Sequence, residues 1–242
     1  RTGGNDLGAS GQSSFTNIEY NLLERCSGED ECMSLKSSDN IVRHNTLLNC
    51  RGAICFRLGN RNVAENNIII ATENALGFGG IKLLGFEHRV EGNYFSGLTG
   101  TKHEAPFSIF PGLHATSTTT NLRDKYDDNT ASAATRCVIM GNTWVDCAPL
   151  QLGLEKEDKS WKHLPIGNVF SDNVVVRTKP QTKPLVIAGM MREFRSEKNT
   201  AFDVSGKSGD SWATWFRWET NAPTVKEPRP LTAADVGPDA SE

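Results

Sequence analysis

Two short segments, VRHNTLL (42–48) and VAENNII (63–69), decide the fold of this chain. Each has an asparagine inside an apolar, β-branched run, and the same form recurs along the sequence. The other copies are IEYNLL (18–23), VEGNYF (90–95), IMGNTW (139–144), FSDNVVV (170–176) and, more weakly, SEKNTAF (196–202). Aligned on Asn21, Asn45, Asn66, Asn93, Asn142, Asn173 and Asn199, successive copies are 24, 21, 27, 49, 31 and 26 residues apart. Such a repeat indicates stacked units, none of which can bury its own apolar face.

The repeating units are read as strands. β-Branched and aromatic residues dominate them, Gly, Asn and Asp bound them, and no window keeps a 3.6-residue apolar period long enough for a major helix. The sequence therefore predicts an all-β fold, a right-handed parallel β-helix. Its asparagines are expected to form a hydrogen-bonded ladder from turn to turn.

The domain organisation follows from where the repeats stop. We assign residues 1–220 to one β-helix domain, which is expected to lack its N-terminal turns, and residues 221–242 to a Pro-rich acidic tail or linker. Residues 99–136 interrupt the ladder and are expected to form a loop on one face. Trp212, Trp215 and Trp218 are expected to cap the last turn, and the alternative is a sugar-stacking platform.

Composition limits the partners. The chain has 242 residues, a net charge of −3 and no long apolar run, so we expect neither nucleic acid nor a membrane as a partner. It begins at Arg1 without a signal peptide. We therefore expect the C-terminal part of a longer secreted or periplasmic protein, with another chain or the missing N-terminal part packed on the first turn.

The cysteines also follow the repeat. Cys26, Cys50 and Cys147 each lie five residues after a ladder asparagine, and the first two belong to adjacent turns. This spacing allows a disulfide, and buried thiols are the alternative. Because no C-x-x-C pair is present, a zinc site is not expected.

Four charged residues form the candidate site: Glu29, Glu31, Lys36 and Arg57. Lys36 precedes Asn45 by nine residues and Arg57 precedes Asn66 by nine, so the lysine and arginine are expected to lie side by side on successive turns. We expect Lys36 to be exposed. A surface charge ladder along the solenoid is the alternative interpretation.

One geometric difficulty concerns the glutamates. Glu29 and Glu31 differ in strand parity from Lys36, so an unbroken strand would send them to the opposite face. A bend or bulge between Cys32 and Ser34 is therefore expected.

Around these residues the sequence resembles polysaccharide lyase family 6, the β-helical alginate lyases and chondroitinase B. The matching text is E-x-E-x-x-x-x-K-S (29–37), N-C-x-G (49–52), F-R-x-G-N-R (56–61) and GGIKLLGFEHRVEGNYFSGLTGTK (79–102). Looser similarity continues through residues 142–173, so the resemblance spans most of the chain.

The resemblance implies roles for the charged residues. Lys36 would be the Brønsted base, Arg57 would act near the leaving group, and Glu29 and Glu31 would help to hold a calcium ion (Ca²⁺). Lys82, Arg61 and Lys102, in the matching segments, are expected to bind substrate. Two features depart from the family: Leu58 stands where histidine is usual, and a third calcium ligand would lie at or before residue 1 unless Asn5 replaces it.

The reaction that the resemblance implies is the cleavage of a 4-linked uronate by β-elimination, and the residue types suit it. A base removes the C5 proton, α to the carboxylate, and the C4 oxygen leaves. We expect a calcium-assisted lyase that acts on an anionic polysaccharide, with alginate as the first candidate and chondroitin or dermatan sulfate as the second. A β-helical module that binds a polyanion without turnover is the alternative from a different class.

Overall fold

The computed structural model describes residues 12–112, 132–153 and 163–236 of the chain. In these ranges the strands form three sheets. Sheet 1 contains β1 (Asn17–Glu19), β4 (Ile41–Arg43), β7 (Val63–Glu65), β10 (Arg89–Glu91), β13 (Val138–Met140), β16 (Val169–Ser171) and β19 (Arg195–Glu197). Sheet 2 contains β2 (Leu22–Glu24), β5 (Thr46–Leu48), β8 (Ile68–Ile70), β11 (Tyr94–Ser96), β14 (Thr143–Val145), β17 (Val174–Arg177), β20 (Asn199–Asp203) and β21 (Phe216–Trp218). Sheet 3 contains β3 (Glu31–Leu35), β6 (Gly52–Phe56), β9 (Phe78–Leu83), β12 (Phe107–Ile109), β15 (Leu150–Leu152) and β18 (Val186–Ala188).

The helical content of the described residues is small. The helices are three 3₁₀ turns, Lys102–Glu104, Ser211–Trp215 and Ala233–Asp235. No helix in the described ranges has the length and apolar character needed to cross a membrane.

Each coil gives one strand to each sheet in turn, so every strand pairs in parallel with its equivalent in the next coil. This arrangement confirms the parallel β-helix. The central residue of each short strand points inward, as Val42 and Leu47 do, and these side chains stack into one core along the solenoid. The core is therefore continuous, and each coil depends on its neighbours for burial.

An asparagine ladder connects the coils, and one of its members differs from the prediction. The ladder residue of the third coil is Asn67, not Asn66. The Nδ2 of Asn45 donates to Asn67 Oδ1 at 3.0 Å, and the Nδ2 of Asn67 donates to Asn93 Oδ1 at 2.9 Å. Asn66 is exposed, with a φ of 53°. The strand register explains the difference. Val42 pairs with Ala64 and not with Val63, so Asn45, three residues after Val42, aligns with Asn67.

A second ladder crosses the corner between sheets 3 and 1, and a histidine takes the place of an asparagine there. The backbone N–H of Asn40 donates to Asn62 Oδ1 at 2.9 Å, and that of Asn62 donates to His88 Nδ1 at 3.0 Å. Since Nδ1 accepts, the ring proton is on Nε2, which donates to the Leu84 carbonyl at 2.8 Å. Burial of this neutral ring lowers the pKa of His88 to about 4.

The two ends of the solenoid differ. Among the described residues, β1, β2 and β3 of the first coil lie at one end of their sheets, and Phe15 and Tyr20 are exposed beside them. A partner on this coil stays a prediction. At the other end, Trp212 is buried, and its ring centroid lies 6.1 Å from that of Trp218. This packing supports the interpretation of a cap.

The predicted tail and loop are only partly described. The last strand ends at Trp218, and the backbone N–H of Leu231 donates to Thr46 Oγ1 at 2.8 Å, so residues 219–236 return along the outside of sheet 2. The division of the chain at residue 220 stays a prediction. Half of the predicted 99–136 loop, residues 113–131, lies outside the described residues, and its first part contains strand β12 of sheet 3.

Replacing Asn67 by Ala should lower the free energy of unfolding by about 3 kcal/mol, because buried partners in two neighbouring coils lose their hydrogen bonds. Asn66→Gly is the matched control, and it should change stability by less than about 0.5 kcal/mol because glycine accepts a positive φ. Urea unfolding of both variants measures the difference. Equal losses of unfolding free energy in the two variants would contradict the assignment of Asn67 to the ladder.

Stability should also fall as the pH drops from 6.5 towards 4. In this interval the unfolded chain protonates His88 while the folded chain does not, so His88 alone should remove about 3 kcal/mol of stability by pH 4. His88→Asn should show a smaller fall, because an amide does not titrate. Urea unfolding at several pH values tests this, and identical pH profiles for the two proteins would contradict it.

Candidate functional site

The candidate site lies on the outer face of sheet 3. Leu35 and Phe56 are register partners that face the core. Lys36 and Arg57 follow them directly, so they leave on the outer side and are neighbours on successive coils. This register agrees with the predicted alignment of Lys36 and Arg57, although that prediction took Asn66 as the ladder residue. The alignment is correct because the third coil has one additional residue between Arg57 and its true ladder residue, Asn67.

The environment of Lys36 differs from the expectation. Its relative exposure is 6%, so the side chain is buried and not exposed. Ser37 and Ser38, which follow it, are also buried. A buried lysine is unusual unless its charge is compensated or used in chemistry.

A bulge places Glu31 on the same face. Glu31 pairs with Ala53, whereas Met33 pairs with Ile54, so Cys32 is the additional residue in β3. The sequence required a bulge between Cys32 and Ser34, and the structure has it at Cys32. The bulge reverses the parity, which allows a glutamate five residues before Lys36 to reach the outer face.

Glu31 binds two cations. Its Oε1 accepts from Arg57 Nη1 at 3.2 Å and from Lys82 Nζ at 3.3 Å. The side chains of Glu31 and Lys82 are each 7% exposed, whereas that of Arg57 is 42% exposed. Burial alone would raise the pKa of Glu31, but the neighbouring Ser34 side chain and the charges of Lys82 and Arg57 lower it below its usual value. The carboxylate is therefore ionised at neutral pH, and Arg57 is the more accessible cation.

Aromatic rings extend the site towards the fourth coil. Lys82 Nζ lies 6.0 Å from the centroid of the Phe110 ring, which is a cation–π distance. The His103 ring stacks on the same Phe110 ring, and the two ring centroids are 4.6 Å apart. Sequence reasoning missed both aromatic residues, because their approach depends on the fold of the segment after β11.

The acidic side of the site contains more than the two predicted glutamates. Glu29 is exposed in the bend before β3, next to Asp30. Glu104, at the end of the 3₁₀ turn Lys102–Glu104, lies with its Oε1 3.7 Å from Arg51 Nε. Burial and the neighbouring charge of Asp30 raise the pKa of Glu104. No sequence signal connected Glu104 with Asp30, since the two are far apart in the chain.

The other two predicted substrate-binding residues are Arg61 and Lys102. Arg61 is at the corner after sheet 3 and makes a bidentate ion pair with Asp39, at 2.8 and 2.7 Å. Lys102 is exposed at the start of its 3₁₀ turn. Their proposed roles stay predictions, and Arg61 would have to give up its pairing with Asp39 to bind an anion with both nitrogens.

The residues present fit a calcium ion in part. Glu29 and Glu31 offer the carboxylate oxygens that calcium prefers, but calcium takes about six to eight oxygen ligands. Within the described ranges no group of three or more His, Cys, Asp or Glu side chains is arranged to hold a metal ion. Residues 1–11, in which a further ligand was expected, lie outside those ranges.

Comparison with known proteins identifies the family. The chondroitinase B family model matches residues 1–208. The chain belongs to this family. Membership accords with the resemblance to polysaccharide lyase family 6 and with the parallel β-helix. No curated protein sequence matches the chain.

Solved structures of lyases have the same fold as this chondroitinase B family member. The PL6 family alginate lyase AlyGC has a TM-score of 0.74 and 23% identity, over 95% of this chain and 30% of its own. A mannuronic acid specific polysaccharide family 6 lyase from human gut microbiota has a TM-score of 0.68 and 22% identity, over 93% and 48%. The PL6 family lyase Pedsa3628 from Pseudopedobacter saltans has a TM-score of 0.63 and 23% identity, over 93% and 55%. The chain thus spans only part of each.

The charge balance at Glu31 can be tested by a double-mutant cycle. Glu31→Gln should lower the free energy of unfolding by about 3 kcal/mol, because it leaves the nearly buried Lys82 without its counter-charge. Adding Lys82→Met should restore at least about half of that loss, since the uncompensated charge is then removed. Urea unfolding of the wild type, both single variants and the double variant measures the coupling. Strictly additive effects would contradict a direct ion pair.

Proposed function

We propose that this chain is the catalytic part of a polysaccharide lyase that cleaves an anionic uronate polymer by β-elimination. The observation that carries the proposal is the cluster on sheet 3, where Glu31 binds Arg57 and Lys82, and Lys36 lies in the register position next to Arg57. Family membership and the fold agree with it. A polymeric substrate of this kind also favours a secreted or periplasmic location.

Substrate binding is assigned to the cations. The chain has a net charge of −3, so attraction of a polyanion has to be local. Arg57, with its exposed guanidinium, can bind a uronate carboxylate with two parallel hydrogen bonds. Lys82 adds positive charge on the next coil. Both cations are now bound to Glu31, so an incoming carboxylate competes with Glu31 for them.

Lys36 is assigned as the base. It would take the C5 proton while the C4 oxygen leaves, and the electron pair of the C–H bond becomes the C4–C5 double bond. Only a neutral amine can accept this proton, so the pKa of Lys36 would have to lie well below the usual value of about 10.4. The Lys36 side chain is buried, and Arg57 lies in the neighbouring register position on the next coil. Arg57 stays protonated and stabilises the developing negative charge.

Calcium is part of the proposal, with Glu29 and Glu31 as its ligands. When bound, the ion would act as a Lewis acid that stabilises the charge that builds on the uronate carboxylate. Glu31 would then serve calcium and not the two cations, which would leave Arg57 and Lys82 to the substrate. Glu29, in the exposed bend before β3, would supply carboxylate oxygens from the solvent side.

Alginate is proposed as the first substrate and chondroitin or dermatan sulfate as the second. The structural neighbours described above favour alginate, because AlyGC is an alginate lyase and the lyase from human gut microbiota is mannuronic acid specific. A further neighbour is an alginate lyase in complex with G6, with a TM-score of 0.71. The matching family model bears the name of chondroitinase B, which keeps the sulfated polymers as the alternative.

A binding module without turnover is the second candidate. The specific observation in its favour is Leu58, which stands where the resemblance has a histidine beside the catalytic arginine. An aliphatic side chain cannot transfer a proton or bind a charge. A module of this kind would keep Arg57 and Lys82 for binding and would form no unsaturated product.

Lys36→Met should abolish formation of the unsaturated uronate, measured by its ultraviolet absorbance with alginate as substrate. Methionine keeps the apolar stem and removes the amine, so the variant should keep its fold, which circular dichroism verifies. Lys226→Met, on the exposed tail, is the matched control and should keep full activity. Native turnover by Lys36→Met would refute the assignment of the base, and oligosaccharide binding without product by the wild type would favour the binding module.

The double variant Glu29→Gln and Glu31→Gln should weaken calcium binding by at least about tenfold, since both proposed carboxylate ligands lose their charge. Isothermal titration with calcium measures this without reference to activity. Glu193→Gln, far from the site, is the control. Unchanged affinity in the double variant would contradict the ligand assignment, and turnover that is insensitive to a chelator would contradict a role for calcium in the reaction.

A further inference from the structure

Three thiols lie close together where the first two coils turn from sheet 2 to sheet 3. Cys26 follows β2 by two residues, Cys50 follows β5 by two residues, and Cys32 is the bulge residue of β3. All three are free thiols in the structure. None of them has a role in the proposed reaction.

Cys26 and Cys50 are register partners. Glu24 pairs with Leu48, and the backbone N–H of Arg51 donates to the Cys26 carbonyl at 2.7 Å, so the parallel pairing continues through both cysteines. Residues paired in this way have their Cα atoms about 4.8 Å apart. That separation lies inside the range of about 4.4–6.8 Å that a disulfide requires.

The two side chains also point in the same direction. The Cys50 thiol is buried, with its Sγ 3.3 Å from the Leu23 carbonyl of the first coil. Cys26 is partly exposed and packs against the same core. Burial raises the pKa of Cys50 to about 11, and the neighbouring Cys26 side chain contributes to the shift. Both sulfurs therefore occupy one small volume between the coils.

We propose that Cys26 and Cys50 form a disulfide on oxidation, which fastens the first coil to the second. The partly exposed Cys26 is the thiol that a solution oxidant reaches first. With oxidised glutathione, the Cys26 thiolate attacks a glutathione sulfur, forms a mixed disulfide and expels one glutathione thiolate. The Cys50 thiolate then attacks Cys26 Sγ and expels the second. Two protein thiols are oxidised, and one oxidised glutathione is reduced to two glutathione molecules, which take up the two protons.

The other cysteines are less suited to this cross-link. Cys147 lies in the same column of side chains, but its register partner is Leu98, since the backbone N–H of Ala148 donates to the Leu98 carbonyl at 2.7 Å. Cys55 and Cys137 are fully buried in other parts of the solenoid. Cys32 is the competing partner: burial raises the pKa of its thiol, and Cys50 and Cys26 lie close enough to add to the shift.

The cross-link has a structural consequence beside the candidate site. It closes a loop that contains Glu29, Glu31 and Lys36, and it joins the outermost coil to the rest of the solenoid. A closed loop lowers the entropy of the unfolded chain, so opening of the first coil becomes less favourable. The segment that carries both glutamates is then held against β6.

The experiment compares the full chain before and after incubation with oxidised glutathione. Free thiols are alkylated under denaturing conditions, and the peptides are mapped by mass spectrometry with and without prior reduction. The wild type should lose two of its six alkylatable thiols, with Cys26 and Cys50 in one cross-linked peptide pair. Its melting temperature should rise on oxidation and return on reduction.

Four variants complete the test. Cys26→Ser and Cys50→Ser should form no internal disulfide and show no rise in melting temperature. Cys32→Ser and Cys147→Ser should behave as the wild type. A Cys26–Cys32 or Cys32–Cys50 linkage in the wild type, a stable glutathione adduct on Cys26, or six free thiols after oxidation would each overturn the proposal. Circular dichroism verifies that each variant is folded, and Cys26→Ala replaces Cys26→Ser if it is not.

Discussion

Pairing of equivalent strands from one coil to the next is the interaction on which the structure depends. Each coil is too small to bury its apolar residues alone, so its strands are held by backbone hydrogen bonds to the coils on either side. The asparagine ladder fixes the phase of this stacking, because an amide in one coil binds both the next amide and a backbone carbonyl of the coil before it. Residues at equivalent positions therefore become neighbours in space.

The candidate site is built from such equivalent positions on neighbouring coils. Lys36, Arg57 and Lys82 come from three successive coils, and each is placed by the strand that precedes or contains it. Three cations on one face would repel each other, and the Glu31 carboxylate reduces this repulsion because it pairs with Arg57 and Lys82. The bulge at Cys32 is what brings that carboxylate to the outer face. The site is thus a local exception in a regular solenoid, which is typical of functional positions.

Much of this was predictable from the sequence for physical reasons. The repeat of apolar segments gave the parallel β-helix, and the parity of Glu31 against Lys36 demanded a bulge. The prediction of Asn66 as the ladder residue of the third coil was wrong, because Asn66 and Asn67 are adjacent and only strand pairing distinguishes them. The burial of Lys36 was also missed, since a charged residue after a strand gives no sign of what covers it.

Contacts across coils were the least predictable part. The register between β6 and β9 shifts between Gly52 and Ile54, so counting residues could not place Lys82 opposite Glu31. Phe110, His103 and Glu104 reach the site through the segment after β11, whose path is set by packing. These residues have no periodicity of their own, and no local motif marks them.

The outer face of sheet 3 is proposed to bind a uronate next to Lys36. A crystal structure of the Lys36→Met variant with an alginate oligosaccharide would test this binding mode. We expect a sugar carboxylate bound by Arg57 and Lys82, with the C5 hydrogen of that sugar directed at residue 36. An oligosaccharide bound on sheet 1 or sheet 2, or one on sheet 3 whose C5 faces away from residue 36, would contradict it.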